Sequence, residues 1–232
     1  LSDAKTTSTT IIVIRHGWIC YEWGRTGNYG VASVVKPWTA MAYGKLFDTG
    51  LIAPNLFVHN YLPPIFGDSD ARKRIITFNQ ALTMSSGIEP YDNPSGLTLT
   101  EAFTFPMSAE PGLEWAYTSL VPNILSVIVT NLTGISLRSY FNANILNPIG
   151  VPSISSSNWQ TWNGYTMGAA GAKITARNAA RLGYLLIHQG NWAGNQVLKA
   201  ETVTFLTQWE PDLLNATLWK VAPQRSNTDP QS

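Results

Sequence analysis

A chain of 232 residues, 44% hydrophobic and 12% charged, is long enough to bury a sizeable core as one domain or as two closely packed lobes. The net charge of +1 gives no electrostatic basis for binding nucleic acid or an anionic membrane, and no stretch of the sequence has the length of a transmembrane helix. The single cysteine, Cys20, excludes an internal disulfide framework and a zinc site built from several cysteines. The low charge and the many tryptophan, tyrosine, asparagine, serine and threonine residues favour a periplasmic or extracellular location.

The first predicted element is a β-hairpin over residues 11–23, whose two apolar strands are joined by a tight turn at His16-Gly17. Arg15-His16-Gly17 also begins like the signature of the histidine phosphatases, in which this histidine becomes phosphorylated. Trp18 replaces the acidic or amide residue that follows in that signature. A turn is therefore the preferred interpretation, and a histidine phosphatase that uses His16 is a remote alternative.

The stretch from Gly30 to Gly50 predicts a buried helix that begins with a serine and a lysine. Ser33 is expected at the helix N-terminus, where unpaired backbone N–H groups and the helix dipole favour a developing alkoxide or oxyanion. Lys36 follows three residues later, which places it one turn along the same face. A serine hydroxyl is a weak nucleophile and a neighbouring amine can take its proton, which is the logic of the S-x-x-K serine hydrolases. The helix is predicted to end at Gly50.

Residues 33–208 are predicted to be mainly helical. Tyr117 follows a proline-glycine turn just ahead of an apolar helix, and taken alone it is more simply a core tyrosine. Gly168-Ala-Ala-Gly171 predicts close packing ahead of a further helix. After the first helix, the predicted helices cover residues 78–84, 121–132, 137–145, 176–189 and 200–208.

Five motifs in one order carry a resemblance to a known family. They are Ser33-Val-Val-Lys36, the stretch 76–87, Pro111-Gly112 with Tyr117-Thr-Ser119, Asn147-Pro-Ile-Gly150 and the stretch 175–183. From about residue 11 to residue 208, the chain resembles the beta-lactamase-related serine hydrolases. This family includes class C beta-lactamases, penicillin-recognising D-alanyl-D-alanine carboxypeptidases, beta-lactamase-fold esterases and aminohexanoate-oligomer hydrolases. The resemblance implies an α+β fold of the beta-lactamase/transpeptidase type, in which a helical lobe packs on an antiparallel sheet.

The resemblance also implies the roles of four residues. Ser33 would be the acylated nucleophile, Lys36 its proton acceptor, and Tyr117 the Y-x-N tyrosine that relays the proton to the leaving group, with all three converging in a cleft. Ser119 stands where the family has the asparagine that helps to hold the substrate amide. The replacement of that asparagine counts against efficient beta-lactam hydrolysis. A serine can still donate one hydrogen bond there, so ester and small-amide chemistry stays open. The substrate is expected to be a small molecule or a peptide, and neither a cofactor nor a metal is expected.

The third motif of this family, K-T-G or H-x-G on a C-terminal strand, has no counterpart in the sequence. We therefore expect residues 1–232 to form a single catalytic domain that is truncated at its C-terminus, with an incomplete sheet and a polar end over 224–232. An unpaired sheet edge and an uncovered apolar face predict a chain that is poorly stable or associates. Ser119 and the missing motif also support an alternative function, a non-catalytic penicillin-binding-like sensor or interaction module.

Overall fold

The computed structural model describes residues 10–24, 26–208 and 219–220, and it has an α+β architecture. The predicted polar end over 224–232 lies outside these residues. The α-helices in the described part of the chain are α1 (Val35–Asp48), α2 (Pro64–Asp68), α3 (Phe78–Leu82), α4 (Leu99–Phe103), α5 (Leu120–Thr133), α6 (Leu137–Phe141), α7 (Ala176–Ile187) and α8 (Ala200–Thr207). The strands there are β1 (Thr10–Arg15), β2 (Trp18–Gly24), β3 (Tyr29–Gly30), β4 (Trp115–Ala116), β5 (Thr161–Trp162), β6 (Tyr165–Thr166), β7 (Lys173–Ile174), β8 (Asn191–Trp192), β9 (Asn195–Gln196) and β10 (Trp219–Lys220).

Contacts divide the chain into two units. The first contains the described residues of 1–53 and 122–209, and the second contains those of 54–121 and 210–232. Helix α5 therefore begins in the second unit and continues in the first. The single domain expected over 1–232 stays a prediction.

No described helix by itself has the length and hydropathy that a membrane span requires. Helix α5 and the segment Leu137–Ile149 meet the two requirements only together, as a pair bent by 73°.

Helix α1 is the centre of the first unit. Trp38 is buried and stacks on Phe141, with the ring centroids 5.7 Å apart, and it meets Trp159 edge to face at 5.9 Å. A Cβ at Gly44 would lie 2.9 Å from side chains of α8, so the glycine allows α1 and α8 to pack closely. The core of this unit is therefore built around the helix that begins just after Ser33.

Helix α1 ends as predicted, at Gly50. This glycine has φ +71°, and its N–H donates to the Phe47 carbonyl at 2.9 Å. The next N–H, of Leu51, donates to the Leu46 carbonyl at 3.2 Å, which completes a Schellman motif. The predicted N-terminal and C-terminal limits of this helix thus differ from the observed ones by only a few residues.

The helix predicted over 137–145 is wrong in its second half. The α-helix ends at Phe141, and the chain continues in a π-helical turn, Asn142–Leu146. The buried Asn142 side chain accepts the N–H of Ile154 and donates to its carbonyl, both at 3.0 Å. We attribute the change of helix type to this pairing, because it fixes the turn to a second segment of backbone.

The hairpin predicted over 11–23 is confirmed. β1 and β2 pair in antiparallel fashion, with a bulge between Val13 and Ile14, and the turn uses left-handed backbone at His16 and Gly17. Its strands carry exposed apolar side chains, including Val13 at 47% and Trp18 at 77%. In the part of the chain that the structure describes, this sheet has two strands. The exposed apolar surface supports the expected association of the chain, which stays a prediction.

The other sheets in the described ranges are also two-stranded. β3 pairs with β7, β5 with β6 and β8 with β9, all antiparallel, whereas β4 and β10 pair in parallel.

The second unit is built from short helices joined by ordered turns. Thr77 caps α3 in a capping box with Gln80, and Thr98 forms the same box with Glu101 at α4. Helix α3 ends before the predicted residue 84 because Met84 has φ +60°, a conformation that an α-helix cannot contain.

Candidate active site

Ser33 lies in a short 3₁₀ helix, Ala32–Val34, that leads directly into α1. The sequence predicted an α-helix N-terminus here, and the structure inserts this turn before the α-helix starts at Val35. Ser33 is exposed, as a nucleophile that meets a substrate must be. Ala32 has φ +44°, a left-handed conformation that costs a residue with a Cβ about 1–2 kcal/mol. Backbone strain of this kind clusters at functional sites, although the sequence gives no sign of it.

Lys36 is the second residue of α1 and is only 8% exposed. Its Nζ donates to Ser33 Oγ at 3.0 Å and to the Ala169 carbonyl at 3.3 Å. The structure therefore brings together the two residues that the S-x-x-K spacing places on one face. An amine held beside a serine hydroxyl in this way is in position to exchange a proton with it.

The carbonyl that holds Lys36 belongs to a backbone segment that is fixed by two helices. Asn123 of α5 accepts the N–H groups of Gly168 and Ala169 through Oδ1, at 2.9 and 3.0 Å. Thr39 of α1 donates to the Gly168 carbonyl at 2.7 Å. Asn123 and Thr39 are almost completely buried, so water does not compete for these bonds. Together they set the position of the Ala169 carbonyl that Lys36 reaches.

Gly168 has no room for a side chain. A Cβ at this position would collide with the Pro122 carbonyl oxygen and would lie 3.3 Å from the Ser126 Cβ. The close packing predicted at Gly168-Ala-Ala-Gly171 is thus confirmed, and it brings this segment against α5. Asn123 was missed as a site residue, although it and Ser126 form a polar pair one turn apart in the otherwise apolar stretch 120–129 of this helix.

The strand that precedes Ser33 is tied to the same backbone segment. β3 pairs with β7, and the N–H of Val31 donates to the Ala172 carbonyl at 3.1 Å. One segment, residues 168–174, therefore contacts both the strand that leads to Ser33 and the amine of Lys36.

Tyr117 and Ser119 lie in the second unit, between β4 and α5. Tyr117 is half-buried, and its ring is tilted against that of Trp115 with the centroids 6.4 Å apart. Ser119 is 9% exposed, and its N–H donates to the Tyr91 carbonyl at 3.0 Å. The Thr118 hydroxyl between them also pairs with the backbone of Tyr91, at 3.2 Å. The residues of the tyrosine motif are thus held in a defined backbone, and their part in a site with Ser33 stays a prediction.

Two of the three histidines, His16 and His188, have local structural contacts. His16 forms the hairpin turn with φ +51°, and the ring of His188 stacks on Tyr184 with the centroids 3.8 Å apart. Within the described ranges, no three side chains of histidine, cysteine, aspartate or glutamate are grouped so that they could hold a metal ion. The phosphatase interpretation of His16 stays a remote alternative.

The comparison with protein families gives a match over nearly the whole chain. The family described as Beta-lactamase matches residues 3–223. Among curated relatives, the chain is 27% identical to esterase EstB from Burkholderia gladioli over an alignment of 186 residues that covers 65% of this chain and 47% of that protein. It is also 27% identical to protein flp from Staphylococcus aureus strain MW2, over 53% of this chain and 27% of that protein. The chain therefore spans about half the length, or less, of these curated relatives.

Solved structures give the same result for the fold. A candidate beta-lactamase from Bacteroides dorei DSM 17855 aligns with a TM-score of 0.74 and 25% identity, over 92% of this chain and 66% of that one. A 6-aminohexanoate-dimer hydrolase homologue from Bacillus anthracis aligns with a TM-score of 0.68 and 20% identity, over 88% and 60% of the two chains. A penicillin-binding protein homologue from Pyrococcus abyssi aligns with a TM-score of 0.64 and 18% identity, over 84% and 54%. The α+β fold of the beta-lactamase/transpeptidase type is thereby confirmed.

Proposed function

Because this chain belongs to the Beta-lactamase family of serine hydrolases, we propose that it hydrolyses its substrate through an acyl-enzyme on Ser33. The observation that carries the proposal is the hydrogen bond of 3.0 Å between Lys36 Nζ and Ser33 Oγ. An exposed serine beside a buried amine is the arrangement that nucleophilic acyl transfer requires.

The proposed reaction has two stages. Ser33 Oγ attacks the carbonyl carbon of the substrate while its proton passes to the amine of Lys36, and the backbone N–H of Ser33 donates to the developing oxyanion. Tyr117 relays the proton to the leaving group, which departs and leaves an ester on Ser33. Water then attacks this ester, which releases the acid and restores the serine hydroxyl. The roles of Ser33, Lys36 and Tyr117 follow from the resemblance to the family and are part of the proposal.

We propose a small ester or amide as the substrate class. Ser119 supports this choice, because it offers one hydroxyl where the family has an asparagine amide. The similarity to esterase EstB supports it as well. A D-amino-acid peptide or a beta-lactam is the competing substrate class within the same chemistry.

The test is intact mass spectrometry after brief incubation with p-nitrophenyl butyrate and, separately, with a fluorescent penicillin. We expect a covalent adduct that maps to Ser33 and is absent from that site in Ser33→Ala, with the ester reacting faster than the penicillin. Ser157→Ala, which removes an exposed serine far along the chain, is the matched control and should leave the adduct unchanged. A chain that gives no adduct at Ser33 with either reagent would overturn the proposal.

A second candidate function is a penicillin-binding-like sensor or interaction module without turnover. Ser119 favours it, because it stands where the family has the asparagine that helps to hold the substrate amide. The same incubation separates the two functions. Steady release of p-nitrophenol that disappears in Ser33→Ala supports the hydrolase, whereas an adduct on Ser33 that persists without turnover supports the sensor.

A further inference from the structure

The second unit contains a buried lysine that the proposed reaction does not use. Lys73 lies in a 3₁₀ helix, Ala71–Ile75, and its side chain is completely buried. Its Nζ donates to Ser69 Oγ at 2.8 Å and to the Phe103 carbonyl at 2.7 Å, and lies 5.4 Å from the centre of the Phe66 ring. The ion pairs found among the described residues join carboxylates to arginines, and none of them involves this lysine. Burial of an amine without a carboxylate partner favours its neutral form.

The serine beside this lysine is accessible. Ser69 directly follows α2 and is exposed, whereas Lys73 is not. The Ser69 hydroxyl accepts the bond from Lys73 and donates to the Phe66 carbonyl at 3.0 Å. This arrangement repeats the one at Ser33, where a buried lysine amine is also shared between an exposed serine and a backbone carbonyl. A buried base beside an exposed hydroxyl is what makes a serine nucleophilic.

We propose that Ser69 is a second acylation site, which accepts an acyl group from small activated esters with Lys73 as the proton acceptor. Ser69 Oγ forms a bond to the acyl carbonyl carbon, and its proton passes to the neutral Lys73 amine. The bond from that carbon to the leaving oxygen breaks, and the leaving group departs as an alkoxide or phenolate. The products are an ester on Ser69, a protonated Lys73 and the released anion, so atoms and charge balance. The site lies outside the proposed function of Ser33 and does not depend on it.

The charges around Lys73 fix the expected pH dependence. Burial lowers the pKa of Lys73 to about 8, and the nearby Asp70 carboxylate opposes this shift. Asp70 is itself paired with Arg72, and Asp68 of α2 is paired with Arg74, while Glu101 of α4 accepts hydrogen bonds from Thr98. With a pKa near 8, about a tenth of the lysine is neutral at pH 7 and most of it at pH 9. The rate of acylation at Ser69 should therefore rise between pH 7 and pH 9 and then level off.

The experiment uses the full chain with Ser33→Ala, so that the first site cannot react. The protein is incubated with p-nitrophenyl acetate, and the adducts are located by peptide mapping. Ser155 and Ser157 serve as internal controls, because both are exposed and their hydroxyls bond to each other at 2.8 Å. We expect Ser69 to be acetylated at least about tenfold faster than either control. A positioned general base typically accelerates such a reaction by about 10²–10⁴, so tenfold is a low threshold. Acetylation of Ser69 no faster than that of Ser155 and Ser157 would overturn the proposal.

The role of Lys73 is tested with Lys73→Arg in the same background. A guanidinium can still donate to the Phe103 carbonyl, but it does not lose its proton and cannot act as a base. We expect acetylation of Ser69 to fall to the level of the controls, with a circular dichroism spectrum like that of the parent. Undiminished acetylation of Ser69 in this variant would rule out Lys73 as the proton acceptor.

If Lys73→Arg does not fold, the pH dependence of Ser69 acetylation in the Ser33→Ala protein tests whether Lys73 is the proton acceptor. A rise of the Ser69 rate with a midpoint near pH 8 and a plateau by about pH 9 supports the buried lysine as the base. A rate that simply follows the hydroxide concentration, without a plateau, would overturn its role. A failure to label Ser33 in the unmodified chain would contradict only the proposed function. A failure to label Ser69 would contradict only the second acylation site.

Discussion

The serine–lysine pairs of the two units have similar side-chain contacts but differ in the backbone that supports them. Lys36 shares its amine between Ser33 and a carbonyl 133 residues away along the chain. Lys73 shares its amine between Ser69 and a carbonyl only 30 residues away. The carbonyl contact of Lys36 therefore forms only when α1, α5 and the segment 168–174 are packed together, whereas that of Lys73 is built from one part of the chain. The comparison indicates that long-range packing positions the amine at Ser33.

Loss of the proposed base, Lys36, is expected to have the largest kinetic effect. We expect Lys36→Ala to lower the rate of Ser33 acylation by about a thousandfold, since a positioned general base contributes about 10²–10⁴. Stopped-flow release of p-nitrophenol measures this rate. Lys45→Ala is the matched control, because Lys45 also lies on α1 and donates to a backbone carbonyl, that of Val197, at 2.8 Å. If the two variants acylate at the same rate, Lys36 is not the base.

Removing one hydroxyl should have the next largest effect. We expect Tyr117→Phe to slow both acylation of Ser33 and turnover by about a hundredfold, because the proposed proton relay is lost. Pre-steady-state and steady-state release of p-nitrophenol measure the two rates. Tyr43→Phe removes a hydroxyl that donates to the Leu125 carbonyl at 2.8 Å, so it should cost about 1 kcal/mol of stability and leave both rates unchanged. A wild-type rate in Tyr117→Phe would remove this tyrosine from the mechanism.

The local features of the site could be predicted from the sequence. The three-residue spacing of Ser33 and Lys36 places them on one face of a helix, and the structure brings their side chains together at 3.0 Å. The end of α1 at Gly50 and the hairpin over 11–23 were also predictable, because glycine and turn residues act on their own neighbourhood. The family resemblance, based on motifs in one order, is confirmed by the match to residues 3–223.

The long-range features could not be predicted. The carbonyl that holds Lys36 lies at Ala169, and no local pattern connects these two positions. The same holds for Asn123, whose partners Gly168 and Ala169 are 45 and 46 residues away. The left-handed conformation of Ala32 is imposed by its surroundings against the preference of the residue itself. Such features depend on tertiary packing, which periodicity does not encode.

Asn123 is expected to act as a positioning residue for Lys36, because it holds the backbone that presents the Ala169 carbonyl. Asn123→Ala leaves two buried N–H groups without their acceptor, which should cost about 1–3 kcal/mol of unfolding free energy. The Ala169 carbonyl is then less well fixed, and we expect the rate of Ser33 acylation to fall about tenfold. Chemical denaturation and stopped-flow kinetics measure the two effects.

Two further variants separate positioning from stability. Ser126→Ala removes the buried hydroxyl that donates to the Thr166 carbonyl, so it should lower stability while changing acylation by less than about twofold. Asn123→Asp keeps an oxygen that accepts both N–H groups and should restore much of the acylation rate. Equal kinetic losses in Asn123→Ala and Ser126→Ala would show that Asn123 acts only through stability.

The smallest effect is expected where the backbone itself is changed, at Ala32. Ala32→Gly relieves a left-handed conformation that costs alanine about 1–2 kcal/mol, but glycine adds about 0.4–1 kcal/mol of entropy to the unfolded chain. We therefore expect the free energy of unfolding to rise by up to about 1.5 kcal/mol, with acylation of Ser33 changed less than about threefold, because Lys36 is held by Ala169 and not by Ala32. Ala40→Gly, within α1, is the matched control and should lower stability by about 1 kcal/mol. A large loss of acylation in Ala32→Gly would mean that local strain, rather than the distant carbonyl, positions the serine against the lysine.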